Sequence, residues 1–105
     1  MFSVIKIRKT PEFEERLSGL TAKEEGQVEA RLFRIQEFEH FGDFKPIEGS
    51  DFPIFELRWK NGWRVYFYKE GRVAIMLLLG GKKNDQKKDI KKAEILFKRY
   101  AFSKK

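Results

Sequence analysis

An α+β fold, with a small mixed and mainly antiparallel sheet, an N-terminal helical hairpin and a C-terminal helix, follows from three features of this 105-residue chain. The first residues alternate with the period of a strand, and two stretches of helical period come next. Alternating segments then fill residues 44 to 79, and a third helical stripe closes the chain. The length fits one domain, residues 1–105. A hydrophobic share of 41% is enough for a packed core rather than a disordered chain.

Taken in order, Phe2 to Arg8 alternates Ile5 and Ile7 with Lys6 and Arg8 and reads as the first strand. Thr10-Pro11 supplies an N-cap and a proline at the first helical position, and Gly19 ends this short helix. Thr21 and Glu24 have capping-box spacing. They open a second helix whose stripe of Val28, Leu32, Ile35 and nearby Phe38 runs to Gly42. Phe44 to Ile47 is a short edge strand, because Pro46 tolerates only such a place, and Gly49-Ser50-Asp51 follows as a loop.

Ile54 to Trp59 and Trp63 to Tyr68 form a hairpin through Lys60-Asn61-Gly62. A two-residue Asn-Gly turn would pair Leu57 with Tyr66. A three-residue loop with Gly62 left-handed pairs Leu57 with Val65 and Phe55 with Phe67 and keeps one face apolar, so it is preferred. It also sets Arg58 opposite Arg64 and Glu56 opposite Tyr66. After Glu70-Gly71, the continuous apolar run Val73 to Leu79 suits a central strand covered on both faces, and Gly80-Gly81 stops it. From Asn84 or Asp85 a terminal helix carries Ile90, Ala93, Leu96, Phe97 and Tyr100 on one stripe, with Lys87, Lys88, Lys91 and Lys92 off it.

Composition narrows the chemistry. The chain has no cysteine, so disulfides and thiolate-ligated clusters are excluded, and with His40 as its single histidine a histidine-built metal site is not expected. Neither a metal nor a cofactor is expected. The run Val73–Leu79 is too short to span a bilayer, and no charged, apolar and small segment opens the chain, so a cytoplasmic protein without a membrane partner is expected. The net charge is +7. Residues 82–105 hold ten Lys and Arg against three Asp and Glu, while the first 81 residues balance at thirteen of each. Such asymmetry suggests a polyanionic partner.

The strongest candidate for chemistry is the polar face of the central hairpin. Like charges directly opposite each other destabilise a sheet, so Arg58 beside Arg64 asks for a reason. A phosphate gripped by two guanidinium groups supplies one; neutralisation by Glu56 on a solvated face is the plainer alternative. Tyr66 and Tyr68 share that face and are placed to stack on bases, and Lys45, Lys60, Lys82 and Lys83 enlarge the positive patch. The lysines after Gly80-Gly81, Lys87 and Lys88 among them, either cradle a backbone phosphate or keep a surface helix soluble. Glu48 and Glu56 are the carboxylates nearest the basic face and so the candidates for a general base. Trp59 and Trp63 are expected in the core, and Glu37, Glu39 and Asp43 on a solvated acidic face.

The ordered blocks Gly42-Asp43-Phe44-Lys45-Pro46, Glu56-Leu57-Arg58, Gly62-Trp63-Arg64-Val65-Tyr66-Phe67, Leu77-Leu78-Leu79-Gly80-Gly81-Lys82-Lys83, Gln86, Asp89-Ile90 and Lys92-Ala93 resemble the RelE/ParE superfamily of bacterial toxins. They are most similar to its RelE/HigB-type addiction module killer branch. The resemblance implies a RelE-like fold and the toxin of a type II toxin–antitoxin pair. It further implies a metal-independent endoribonuclease that cuts mRNA on the ribosome, by attack of a ribose 2′-hydroxyl on the adjacent phosphate, and that a cognate antitoxin silences. A ParE-like poison that binds DNA gyrase, or a catalytically inactive binding module, is the alternative. By resemblance Arg64 matches the arginine that touches the scissile phosphate, Arg58 its strand neighbour, and Lys82 and Lys83 the basic start of the last loop. Glu56 stands where the RelE kind of nuclease has a lysine, and Asp85 and Asp89 where it has a late arginine and tyrosine. Since other members use a glutamate as base, Glu48 or Glu56 is carried over to that role, with Tyr66 or a lysine donating the second proton.

Overall fold

The computed structural model describes residues 4–102. Its elements are β1 (Lys6–Lys9), α1 (Pro11–Ser18), α2 (Ala22–Phe38), β2 (Phe44–Pro46), β3 (Phe55–Arg58), β4 (Trp63–Lys69), β5 (Ala74–Lys82) and α3 (Gln86–Phe102), the last entered through a 3₁₀ turn at Lys83–Asp85. Among the described residues the strands make one sheet of order β1-β5-β4-β3-β2, with β1 parallel to β5 and every other pair antiparallel. This is the mixed, mainly antiparallel sheet that the sequence predicts.

Local chemistry sets the helix boundaries. The Thr10 side chain accepts from the backbone N–H of Phe13, which opens α1 with Pro11 inside its first turn. Thr21 and Glu24 form a full capping box at the start of α2. That helix ends at Phe38 rather than running to Gly42, because Glu39 turns left-handed at φ 56° and its N–H returns to the carbonyls of Arg34 and Ile35. Phe38 leaves the apolar stripe as a result. It is exposed and meets Phe33 edge to face. The first strand begins at Lys6, later than expected, and Phe2 and Ser3 lie outside the described residues.

The hairpin has the three-residue loop. Gly62 takes φ +95° and donates its N–H to the carbonyl of Trp59, and the pairs Phe55 with Phe67, Glu56 with Tyr66, Leu57 with Val65 and Arg58 with Arg64 follow. On one face Leu57, Val65, Phe67, Trp59 and Trp63 pack against α1 and α2. On the other, Tyr66, Tyr68, Leu78 and Leu79 pack against Ala93, Leu96 and Phe97 of α3. An irregularity in the β4–β5 register between Tyr66 and Phe67 leaves Leu78 as an extra residue, and both Leu78 and Leu79 then reach the α3 face.

Gly80 and Gly81 do not stop β5, as the sequence suggests; they extend it, opposite Val65 and Arg64. The reason is steric. A Cβ on Gly80 would lie 2.6 Å from the Trp63 ring, and one on Gly81 would lie 1.9 Å from Asp89 Oδ2. Asp89 is 3% exposed and sits 3.3 Å from Arg16 Nη1, which also donates to the Gly80 carbonyl at 2.9 Å. The glycine thus admits a carboxylate that ties α3 to α1 across the end of β5. Gly81→Ala should lower the unfolding free energy in urea by about 1–3 kcal/mol, the usual cost of overpacking. The same substitution in an Asp89→Ala background should cost measurably less, because the clash partner is gone.

Candidate functional site

The register places Arg58 and Arg64 side by side, with Gly81 completing their row. Each guanidinium is answered by a different carboxylate. Arg64 Nε lies 3.1 Å from Glu56 Oε2, with side chains 11% and 1% exposed. Arg58 Nη2 donates to Asp43 Oδ1 at 3.0 Å in a pair that is 33% and 58% exposed. One arginine is held inside the fold, and the other stands at the surface.

Arg31 of α2 completes the arrangement. Its guanidinium lies 4.3 Å from the centroid of the Trp59 ring and donates to the carbonyls of Arg58 at 2.6 Å and Phe41 at 3.2 Å. Gly42 takes φ +75°, the left-handed region that favours glycine, and a Cβ built there would meet this guanidinium at 3.4 Å. Burial lowers the Arg31 pKa and the Asp43 carboxylate works against that shift. Gln27, one turn earlier, takes the Trp59 indole N–H on its carbonyl and the Asn61 amide on its side chain, which fastens the hairpin loop to the same helix.

Arg31, Asp43, Arg58, Trp59, Lys60 and Arg64 line one open pocket of about 370 Å³. Four cations face a single carboxylate there, so the pocket attracts anions. Lys83 is tied to the hairpin turn, because its backbone N–H donates to the Gly62 carbonyl at 2.8 Å, but it is not among the pocket residues. Lys82 is exposed at the end of β5. The structure therefore brings together Arg58, Arg64 and Lys60.

Other expected residues fall elsewhere. Glu56 is buried against α3, where its Oε2 accepts from the Gln86 amide and its Oε1 has no hydrogen-bond partner. At 1% exposure, and between Arg64 and Gln86, Glu56 has a structural role in this conformation rather than an open one toward solvent. Glu48 is exposed in the turn after β2 and is not among the pocket residues. Tyr66 is fully buried and Tyr68 is 5% exposed, so neither can stack on a base. Burial, then the charges of Glu56 and Asp89, push the Tyr66 phenol up and keep it protonated inside the fold. Burial and then Glu70, which accepts the Tyr68 hydroxyl proton at 3.2 Å, push Tyr68 up to about 12. Lys45 is exposed on the edge strand opposite Glu56, and Lys87 and Lys88 are exposed on the first turn of α3. His40 is exposed, while Trp59 and Trp63 are buried as expected.

Sequence reasoning missed Arg31; its reading of Asp43 as solvated holds, at 58% side-chain exposure, but did not foresee the pair with Arg58. The available signal was position: Gln27 and Arg31 flank the Val28, Leu32 and Ile35 stripe, where a long polar side chain can reach past the core edge. Among the described residues no group of His, Cys, Asp or Glu could hold a metal ion, and no helix is long and apolar enough to cross a membrane. A separate open groove of about 970 Å³ runs between α1 and α3, with Lys82, Lys91, Lys92 and the half-exposed Ile95 along it. Its Glu12 and Asp89 are already engaged by Arg99 and Arg16.

The family model described as phage derived protein Gp49-like (DUF891) matches residues 15–101. An uncharacterised protein of Haemophilus influenzae is 40% identical over 95 residues, covering 88% of this chain and 92% of that protein. A mutant of the E. coli toxin RelE in the free state matches with a TM-score of 0.66 at 11% identity, over 92% of this chain and 98% of that one. A chain of the Mycobacterium tuberculosis toxin–antitoxin complex RelBE2 matches at 0.63 and 16% identity, over 74% of this chain and 96% of its own length. The fold is accordingly RelE-like.

Two expectations follow from the buried side of the site. Glu56→Ala strands the Arg64 charge and should destabilise the protein by about 3–5 kcal/mol in urea titration, the cost of breaking a buried pair. The tyrosines set an alkaline limit. Their raised pKa favours the folded state fully below the free value of about 10, and this contribution is lost as pH rises toward the Tyr68 value of about 12. Tyrosinate absorbance should therefore lag behind that of free tyrosine, and thermal midpoints should fall across that window.

Proposed function

The chain belongs to the phage-derived Gp49-like (DUF891) family, and on that premise, with its RelE-like fold, we propose that it is the toxin of a type II toxin–antitoxin module and cleaves mRNA on the ribosome. The observation that carries this reading is the convergence of Arg31, Arg58, Lys60 and Arg64, from α2, the hairpin strands and their loop, on one pocket. Attack of a ribose 2′-hydroxyl on its own phosphate asks the protein for positioning and for cationic groups where charge develops.

Arg58 is the group that meets the phosphate. Its pair with Asp43 is a surface one, worth about 0–1 kcal/mol, and a phosphate oxygen exchanges for the carboxylate at little cost. Arg64, fixed by Glu56, contributes a positive field from below, and Lys60, Lys82 and Lys83 extend the attraction along the RNA backbone. Lys45 borders the same side of the sheet and adds to it.

An antitoxin is the expected partner. Helices cover both faces of the sheet, so a partner helix laid across a sheet face, one way of masking a positive surface, finds no open face. The groove between α1 and α3 is the open alternative, and its unpaired lysines beside Ile95 suit an acidic amphipathic segment.

Mapping mRNA ends after induction tests the reading. Cleavage confined to translated regions is expected, and Arg58→Ala with Lys60→Ala should lower it by about 100-fold. A DNA-damage response with intact mRNA would instead make the chain a gyrase poison, and folded protein that neither cleaves nor stops growth would make it a binding module.

A further inference from the structure

We infer that Asp43 is the general base of the reaction, the group that takes the proton from the attacking 2′-hydroxyl. This rests on the nuclease reading above. Asp43 is the only carboxylate among the residues that line the arginine pocket, and its side chain is 58% exposed while it holds Arg58 at 3.0 Å. The carboxylates that resemblance and sequence position suggest, Glu56 and Glu48, are respectively buried under α3 and outside the pocket.

The loop that carries Asp43 is held in place from three sides. The Arg58 backbone N–H donates to the Asp43 carbonyl at 2.9 Å, Arg31 Nη1 lies 3.4 Å from the same oxygen, and Gly42 lies against the Arg31 guanidinium. A base must be fixed relative to the phosphate-binding group, and here both belong to one hydrogen-bonded unit.

Asp43 Oδ1 lies 3.0 Å from Arg58 Nη2, so a ribose hydroxyl next to a phosphate held by Arg58 needs to turn only toward that carboxylate to meet a base. The 2′-oxygen forms its bond to phosphorus as its proton passes to Asp43 Oδ1. The bond from phosphorus to the 5′-oxygen breaks, and the leaving oxygen takes a proton from the Lys60 ammonium. The products are a 2′,3′-cyclic phosphate and a free 5′-hydroxyl, and exchange with water returns both side chains to their starting protonation.

The test is Asp43→Asn, measured as single-turnover cleavage of a short mRNA on programmed ribosomes. Binding is measured in parallel with the same mRNA carrying a 2′-deoxy sugar at the cleaved position. Cleavage should fall by about 100-fold or more, while binding stays equal or tightens because a negative charge leaves the phosphate pocket. Asp43→Glu should recover part of the rate, and the thermal midpoint should not move. An Asn variant within a few-fold of wild-type rate overturns the assignment. So does a variant that loses binding and cleavage together, since Asp43 would then merely hold Arg58. If wild-type protein leaves the programmed mRNA intact while Arg58→Ala does too, the nuclease reading itself falls and the role of Asp43 with it.

Discussion

The left-handed turn at Gly62 is the constraint on which the rest of this structure depends. A strand's side chains alternate, so a register shifted by one residue would exchange the two faces of β3. Leu57 would then face α3, and Glu56 and Arg58 would enter the core against α1 and α2. With φ at +95°, Gly62 supplies the single extra residue that avoids this, and Asn61 reinforces it by accepting the Trp63 N–H at 2.9 Å. The adjacency of the two arginines, on which the polar site is built, is a consequence of that one backbone conformation.

From that register the sheet acquires two unlike faces, and both are covered. The α1–α2 face is closed by apolar and aromatic side chains. The α3 face is mixed, because the row of Glu56 and Tyr66 continues into the row of Arg58, Arg64 and Gly81. Helix α3 must therefore cover charge as well as hydrocarbon. It does so with Gln86 on Glu56 and with Asp89 on the space that Gly81 leaves. Arg16 meets Asp89 from α1, which makes the end of β5 the place where both helical layers are fastened to the sheet.

Strand and helix identity were legible because the apolar period changes cleanly at Phe44 and again after Gly81. The capping box at Thr21, the proline at the start of α1 and the hairpin register all rest on chemistry contained within a few residues of sequence. What was not legible depends on contacts between distant segments. Gly80 and Gly81 look like a strand stop unless Trp63 and Asp89 are known to stand against them. Tyr66, Tyr68 and Glu56 read as an exposed polar face because nothing local says that the terminal helix lies over it. The end of α2 at Glu39 was missed for the opposite reason: a non-glycine residue took the left-handed position that glycine usually holds.

The two arginines, equivalent by strand position, are made unequal by the carboxylates they meet. Glu56 is buried, and the attraction between it and Arg64 is only weakly screened, so Arg64 is fixed in place. Asp43 is open to water, where the same pairing is weak, and Arg58 is left free to exchange partners. Under the proposed function, a phosphate entering the pocket would find one cation already immobilised and one available, with no need to desolvate both. Two of the thirteen acidic residues that balance the first 81 positions of the chain, Glu56 and Asp43, in this sense belong to the proposed anion site. One carboxylate orients a cation from beneath, and the other yields its cation to the incoming phosphate.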